Sequence, residues 1–137
     1  MQQRTHADLD VELCGEPQRL EDGVAVVELV TSERMRADER GLVHGGFVFG
    51  LADHAAMLAI NHPNVVLGSA STRFERPVVV GEQLQAHARV RTVAGRKRVV
   101  DVEVSRSGPT GAEIVMRGEL ICFTPDRHVL DREESSQ

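Results

Sequence analysis

One long apolar stretch constrains this chain more than any other feature. Residues 46–61 contain the run FVFGLADHAAMLAI, which is too long for a single strand and is rich in Ala, Leu and Met. This composition and length predict an α-helix. Apolar residues occupy nearly every side of the helix, and a helix of that kind is buried on most of its faces. The rest of the chain must therefore supply the surface that covers it.

Most of the remaining sequence has the pattern of β-strands. Two runs rich in β-branched residues, 24–30 and 65–74, predict strands, and turn residues precede each of them. Residues 82–93 alternate between apolar and polar side chains, which is the period of a half-buried strand. Segments 97–105 and 113–123 follow turn signals around Gly95 and Gly108. The second half of the chain is therefore predicted to be an antiparallel meander.

These elements predict an α+β architecture in which a curved antiparallel sheet wraps around one long helix. The 137 residues carry no linker or internal repeat, so we expect a single domain over 1–137, with a frayed tail from about residue 126. One sheet leaves a side of the apolar helix bare. We therefore expect a second copy of the chain, in a homodimer or a dimer of dimers.

The composition argues against several classes of function. The 16 Lys and Arg residues against 21 Asp and Glu give a net charge of −5, and the chain has four Phe but no Trp or Tyr, so nucleic-acid binding is not expected. The N-terminus is polar and the apolar stretch is interrupted by Asp53 and His54, which predicts neither a signal peptide nor a membrane span. We expect a cytoplasmic protein in which Cys14 and Cys122 are reduced thiols.

Asp53 lies midway along the predicted helix, where an unpaired carboxylate is costly to desolvate. It is either a structural carboxylate, hydrogen-bonded or on a wet face, or a catalytic one whose cost is tolerated for its chemistry. Its neighbour His54 points about 100° away around the helix, so the two do not form a hydrogen-bonded dyad. We interpret His54 as structural.

His44, Gly45 and Gly46 fall where a loop meets the start of the helix. Glycines at this position let backbone N–H groups approach a ligand at the positive end of the helix dipole, which is the geometry of an oxyanion hole. The alternative is a loop-to-helix turn in which the glycines supply a positive φ. A buried carboxylate two turns further along the same helix favours the first interpretation.

The segment HGGFVFGLAD, from His44 to Asp53, resembles the hotdog-fold acyl-CoA thioesterases, particularly the phenylacetate-pathway (PaaI-like) type. Further landmarks of that family are matched by Gly41, by RFERP at 73–77 followed by Gly-Glu at 81–82, and by Gly-Arg at 95–96. The resemblance implies a hotdog fold and hydrolysis of an acyl-CoA thioester.

Residue roles follow from the same resemblance. Asp53 would be the nucleophile or general base, the Gly45 amide the oxyanion donor, and His44 a residue that shapes the thioester pocket, with Gly46 beside the substrate. The family also implies that Gly45 of one chain faces Asp53 of another. No metal or redox cofactor is required, and coenzyme A enters only as part of the substrate.

The chain departs from the family pattern at two places. Asp38 stands six residues before His44, where many members carry an Asn that positions substrate or water. The Ser or Thr with which some members assist water has no clear match, although Ser69 and Ser71 lie in the corresponding segment. We assign no catalytic role to Asp38, Ser69 or Ser71.

The sequence argues against three alternatives to thioester hydrolysis. The sequence has no metal-site motif, and it lacks the Asp-x-Asn-Pro-x-His setting of the hotdog hydratases. A non-catalytic acyl-CoA-binding module is the main rival, and the helical carboxylate argues against it.

The basic cluster Arg96, Lys97 and Arg98 either binds coenzyme A phosphates or is a solvated hairpin tip that discourages aggregation.

Overall fold

The computed structural model describes residues 1–131, and its centre is the long helix predicted from the apolar stretch. In chain order the elements are α1 (Val11–Cys14), β1 (Glu16–Glu21), β2 (Val24–Val30), a 3₁₀ turn (Glu33–Met35), α2 (Gly45–Ile60), β3 (Val66–Phe74), β4 (Gln83–Ala94), β5 (Lys97–Gly108) and β6 (Gly111–Phe123). Residues 132–137 of the predicted frayed tail lie outside the described residues.

The six strands form one antiparallel sheet in the order β1-β2-β4-β5-β6-β3. Helix α2 packs against every one of them, so the sheet curves around the helix. This confirms the predicted architecture, and the consecutive pairing of β4, β5 and β6 confirms the meander.

Strand β4 shows how the sequence pattern orients the sheet. Leu84, Ala86 and Ala88 are fully buried, whereas Gln85 and His87 between them are exposed. Side chains alternate between the faces of a strand, so the apolar set packs toward α2 and the polar set faces outward.

The sequence analysis missed α1 and β1. The sequence of β1, EPQRLE, contains a single large apolar residue, Leu20, and its backbone is interrupted by an irregularity between Pro17 and Arg19. Strand β1 lies at the edge of the sheet and pairs only with β2. An edge strand of this kind needs no alternating apolar face, and periodicity therefore does not reveal it.

The segment before β1 covers part of the helix side that we expected to be bare. The Asn61 side chain accepts a hydrogen bond from the Arg4 N–H at 2.7 Å and donates one to the Gln2 carbonyl at 2.8 Å. Further along, His54 donates from Nδ1 to the Cys14 carbonyl at 3.0 Å. The expectation of a wholly bare side was therefore wrong for the C-terminal half of α2.

Within residues 1–131, no helix is both long enough and apolar enough to span a lipid bilayer. Cys14 and Cys122 are free thiols, as predicted. In the same residues, no three His, Cys, Asp or Glu side chains are grouped closely enough to hold a metal ion.

Candidate active site

The first turn of α2 is held at a defined position but has no side-chain cap. Two hydrogen bonds fix the backbone just before the helix. The Val43 N–H donates to the Val78 carbonyl at 2.8 Å, and the His44 N–H donates to the Met35 carbonyl at 2.9 Å. His44 occupies the N-cap position, and its side chain makes no capping bond. The first N–H groups of a helix have no partner within the helix. Here the Phe47 N–H bonds to the His44 carbonyl at 3.0 Å, and the N–H groups of Gly45 and Gly46 are left for an external acceptor.

A hollow of about 240 Å³ adjoins this turn. Its lining includes Gly45 and the apolar side chains of Leu42, Val48, Phe74 and Pro77. The Phe74 ring lies beside Gly45, since a Cβ placed on that glycine would be 3.6 Å from the ring. The helix N-terminus therefore opens into a mostly apolar space, which Glu75 and Arg76 also line. The sequence analysis noted the motif around Phe74 but did not identify its ring as part of the wall.

Gly46 makes room for the His44 ring. A Cβ on Gly46 would lie 3.0 Å from that ring, which is closer than ordinary contact. The ring also packs edge-to-face on Phe47, with centroids 6.1 Å apart. Gly45 and Gly46 are both helical and neither has a positive φ. The interpretation of these glycines as a positive-φ turn was therefore wrong.

Asp53 is half-buried on α2, and its Oδ1 atom is buried without a hydrogen-bond partner among residues 1–131. Burial raises the pKa of this carboxyl above its ordinary range. A structural carboxylate in such a place would have donors to satisfy it. The observed environment instead keeps Asp53 poorly solvated and free to accept a proton or a new contact.

The charge of Asp53 affects the pKa values of two cysteine thiols. Burial and the Asp53 charge raise the pKa of the Cys122 thiol to about 12. Burial, Asp10 and Asp53 also raise the pKa of Cys14. Both thiols therefore stay protonated at neutral pH, and neither is activated as a nucleophile.

His54 points into the protein and is 2% exposed. Because a carbonyl only accepts hydrogen bonds, the contact with Cys14 places the proton on Nδ1. Its Nε2 is buried without a partner among the described residues, and burial lowers the pKa of the ring. The burial of the ring and its bond to the Cys14 carbonyl fit the structural role predicted for His54.

Asp53 and Gly45 do not meet within one protomer. They are eight residues apart on the same helix, which corresponds to about 12 Å along its axis. Asp53 does not line the hollow beside Gly45. A single thioester carbonyl therefore cannot contact both groups of the same chain.

The basic cluster lies in and just after the turn between β4 and β5. Arg96 forms an ion pair with Asp126, and Arg98 donates to the Gly95 carbonyl at 2.7 Å and to the Lys97 carbonyl at 3.2 Å. None of the three cations lines the hollow beside Gly45. Two of them are already engaged by protein groups.

Asp38 organises the loop that leads to α2. Its Oδ1 accepts hydrogen bonds from the N–H groups of Arg40 at 2.9 Å and Leu42 at 3.2 Å. Asp38 also lines a second hollow of about 310 Å³, which shares Leu42 and Pro77 with the first. Ser69 and Ser71 are exposed on β3.

Comparison with solved structures supports the fold. The uncharacterized protein PH1136 from Pyrococcus horikoshii superposes with a TM-score of 0.91 and 48% identity, over 96% of this chain and 98% of that one. PaaI from the phenylacetic acid degradation operon of Escherichia coli superposes with a TM-score of 0.75 and 25% identity, over 85% of this chain and 83% of that one.

Two relatives are similar in sequence over part of their length. Acyl-coenzyme A thioesterase PaaI of Escherichia coli K12 is 32% identical over 87 residues, which are 62% of this chain and 61% of that protein. The methylthioribose-1-phosphate isomerase of Aquifex aeolicus is 47% identical over 117 residues, or 85% of this chain. The chain spans only 25% of the length of that isomerase.

The family model of the thioesterase superfamily matches residues 40–113, which include α2, β3, β4 and β5. The match covers more than half of the 137 residues. The six-stranded antiparallel sheet around one long helix is the hotdog fold, and the chain belongs to the thioesterase superfamily.

Proposed function

We propose that this protein is an acyl-CoA thioesterase, which hydrolyses an acyl-CoA thioester to a free acid and coenzyme A. The observation that carries the proposal is the buried Oδ1 of Asp53, which has no hydrogen-bond partner among residues 1–131, on the helix whose first turn at Gly45 has no side-chain cap. Membership of the thioesterase superfamily and the similarity to PaaI support it.

In the proposed reaction, the Asp53 carboxylate takes a proton from water as the water oxygen attacks the thioester carbonyl carbon. The Gly45 N–H stabilises the oxyanion that develops on the carbonyl oxygen. Collapse of the tetrahedral intermediate breaks the C–S bond, and the coenzyme A thiolate receives the proton from Asp53. In the alternative route, Asp53 attacks the carbonyl directly, and water then hydrolyses the acyl anhydride.

We propose further that two chains build each site, with Gly45 of one protomer facing Asp53 of another. The separation of about 12 Å along α2 supports this arrangement because the two groups of one chain cannot reach the same carbonyl. The smallest active unit is then a homodimer with two sites. Strand β3 offers a surface for it, since it is a terminal strand of the sheet and residues 68–71 are all exposed.

The Arg96, Lys97 and Arg98 cluster remains our candidate for contacting coenzyme A phosphates. The exposed Lys97 is the best placed of the three, because Arg96 and Arg98 already hold Asp126 and backbone carbonyls. A phosphate would have to compete with those groups for the two arginines.

The rival function is acyl-CoA binding without catalysis. A panel of acyl-CoA thioesters, with released thiol measured continuously, separates the two. Release of thiol under turnover conditions supports the thioesterase, whereas saturable binding with no release supports the binding module.

The chain matches only 25% of the length of the methylthioribose-1-phosphate isomerase, so this similarity does not support isomerase activity.

A further inference from the structure

Arg106 on β5 holds the segment that connects β3 to β4. Its Nη1 atom donates to the Pro77 carbonyl at 2.6 Å and to Glu82 Oε1 at 3.0 Å. Its Nε atom donates to Glu113 Oε1 at 3.1 Å. The Arg106 side chain is only 16% exposed, whereas that of Arg117, in another ion pair of the sheet, is 56% exposed. Breaking a poorly exposed ion pair is costly, so Arg106 holds its partners more firmly than a surface pair does.

The segment held by Arg106 also holds the backbone that enters α2. Glu82 Oε1 accepts a second hydrogen bond, from the Val79 N–H at 2.7 Å. That N–H and the Val78 carbonyl belong to the same planar peptide group, and the carbonyl accepts the Val43 N–H at 2.8 Å. Val43 stands two residues before the first residue of α2. Consecutive hydrogen bonds therefore join the guanidinium on β5 to the start of the helix.

The same guanidinium fixes one wall of the hollow beside Gly45. Pro77 lines that hollow, and its carbonyl accepts the hydrogen bond from Arg106. Arg106 itself does not line the hollow. An effect of Arg106 on chemistry at Gly45 must therefore pass through the groups that it holds.

We propose that Arg106 is a positioning residue of the active site, which keeps the Gly45 N–H and the Pro77 wall at the place where the thioester carbonyl is attacked. This inference rests on the proposed thioesterase function. An oxyanion donor stabilises the transition state only when it lies at hydrogen-bond distance from the developing charge. A small displacement of the helix start therefore lowers kcat more than it weakens binding of the rest of the substrate.

Replacement of Arg106 tests the proposal with any acyl-CoA thioester that the parent hydrolyses. Arg106→Met keeps the aliphatic stem and removes every donor, whereas Arg106→Lys keeps the charge and loses the planar fork. We expect Arg106→Met to lower kcat by roughly tenfold and to change KM by less than about twofold, with Arg106→Lys between it and the parent. The matched control, Arg117→Met, removes the exposed ion pair with Glu103 and should change neither constant.

A double variant separates positioning from a general loss of stability. In a Gly45→Val background the turn is already displaced, so Arg106→Met should lower kcat by less than about twofold further. Losses that multiply in the double variant, or full activity in Gly45→Val, would overturn the positioning role. All values of kcat are referred to the folded fraction, measured by circular dichroism. If Arg106→Met does not fold, Arg106→Lys in the two backgrounds gives the same test.

The outcomes distinguish this inference from the proposed function. Hydrolysis by the parent with an unchanged kcat in Arg106→Met overturns the role of Arg106 and leaves the thioesterase function standing. The absence of hydrolysis by the parent with every acyl-CoA thioester of the panel overturns the thioesterase function itself.

Discussion

The two halves of helix α2 are built differently. Its first turn begins with Gly45 and Gly46, lacks a side-chain cap and opens into a mostly apolar hollow. From His54 to Ala59, by contrast, no residue is more than 2% exposed. The helix then ends at Asn61, whose φ of 52° places it in the left-handed region and whose N–H bonds to the Met57 carbonyl at 2.8 Å.

This difference indicates that the two halves of the helix have different roles. The C-terminal half fixes the helix to the sheet and to the N-terminal segment, and it leaves the first half free to meet a ligand. A helix that is rigid at one end can present unsatisfied groups at the other without losing its position. Asp53 stands at the boundary, with one oxygen buried and the side chain as a whole only half-buried.

The largest effect is expected from Asp53→Asn, which keeps the shape of the side chain and removes its charge. We expect kcat to fall by roughly 10²-fold or more, because the variant can neither accept a proton nor attack a carbonyl. Acyl-CoA binding and oligomeric state should persist. Steady-state kinetics and a binding titration on the same preparation test this, and a near-normal kcat would end the assignment of Asp53 as base or nucleophile.

Mixing two impaired variants tests whether the two halves of α2 act across chains. Asp53→Asn chains and Gly45→Val chains are unfolded together and refolded, and each variant is refolded alone as the control. If Gly45 and Asp53 come from different protomers, some mixed dimers contain one intact site, and activity rises above that of either variant refolded alone. If activity does not rise although mixed dimers form, both residues act within the same subunit.

A smaller loss of activity is expected from Gly45→Val alone. The added methyl groups would press against the Phe74 ring, since a Cβ at this position already lies 3.6 Å from it, and they would fill the hollow. We expect turnover to fall by roughly 10- to 100-fold through misplacement of the carbonyl. Full activity in this variant would contradict the role of the Gly45 turn as the oxyanion site.

The sequence predicted the parts of the fold that follow from side-chain pattern. The helix was predicted over 46–61 and spans Gly45–Ile60, and the alternation in β4 assigned its buried face correctly. Both predictions succeed because burial in these elements follows the period of the backbone. The motif around His44 and Gly45 also located the helix start.

The sequence did not predict contacts that are made by the backbone. Asn61 binds the carbonyl of Gln2 and the N–H of Arg4, and neither contact depends on the identity of those two residues. The N-terminal segment therefore had no apolar signal that would place it over α2. The Phe74 wall beside Gly45 likewise depends on a distance between elements, which a linear pattern does not contain.

A variant at the C-terminal end of the helix should lower the free energy of unfolding and leave kcat unchanged, which is the reverse of the effects expected for Asp53→Asn. Asn61→Ala removes two hydrogen bonds to the N-terminal segment and puts alanine into a left-handed conformation. We expect a loss of about 1–3 kcal/mol in the free energy of unfolding with kcat unchanged. Asn61→Gly relieves the backbone strain but not the lost bonds, so its loss should be smaller.

The matched control for Asn61 is Asn64→Ala, which removes one side-chain bond of 3.2 Å to the Pro125 carbonyl and should cost less. Chemical unfolding of the three variants measures these differences. A fall in kcat for Asn61→Ala comparable to that of Asp53→Asn would contradict the separation between the two halves of α2.

The smallest effect is a pH-dependent difference in stability between the parent and Asp53→Asn. Burial raises the pKa of Asp53 in the folded protein, so the folded state favours the protonated carboxyl. The stability that this carboxyl contributes is fully present below its unfolded pKa of about 3.9, and it is lost as the pH rises through the higher folded pKa. Asparagine mimics the protonated form at every pH.

The variant should therefore be more stable than the parent at neutral pH, and the two should converge on acidification. All other titrating groups are shared, so the difference between the two unfolding curves isolates this one carboxyl. Urea unfolding in buffers from pH 7 down to about pH 4 measures it. A parent that is the more stable of the two at neutral pH, with an advantage lost on acidification, would mean that Asp53 is stabilised as the anion. That result would contradict the poorly solvated carboxylate on which the proposed chemistry depends.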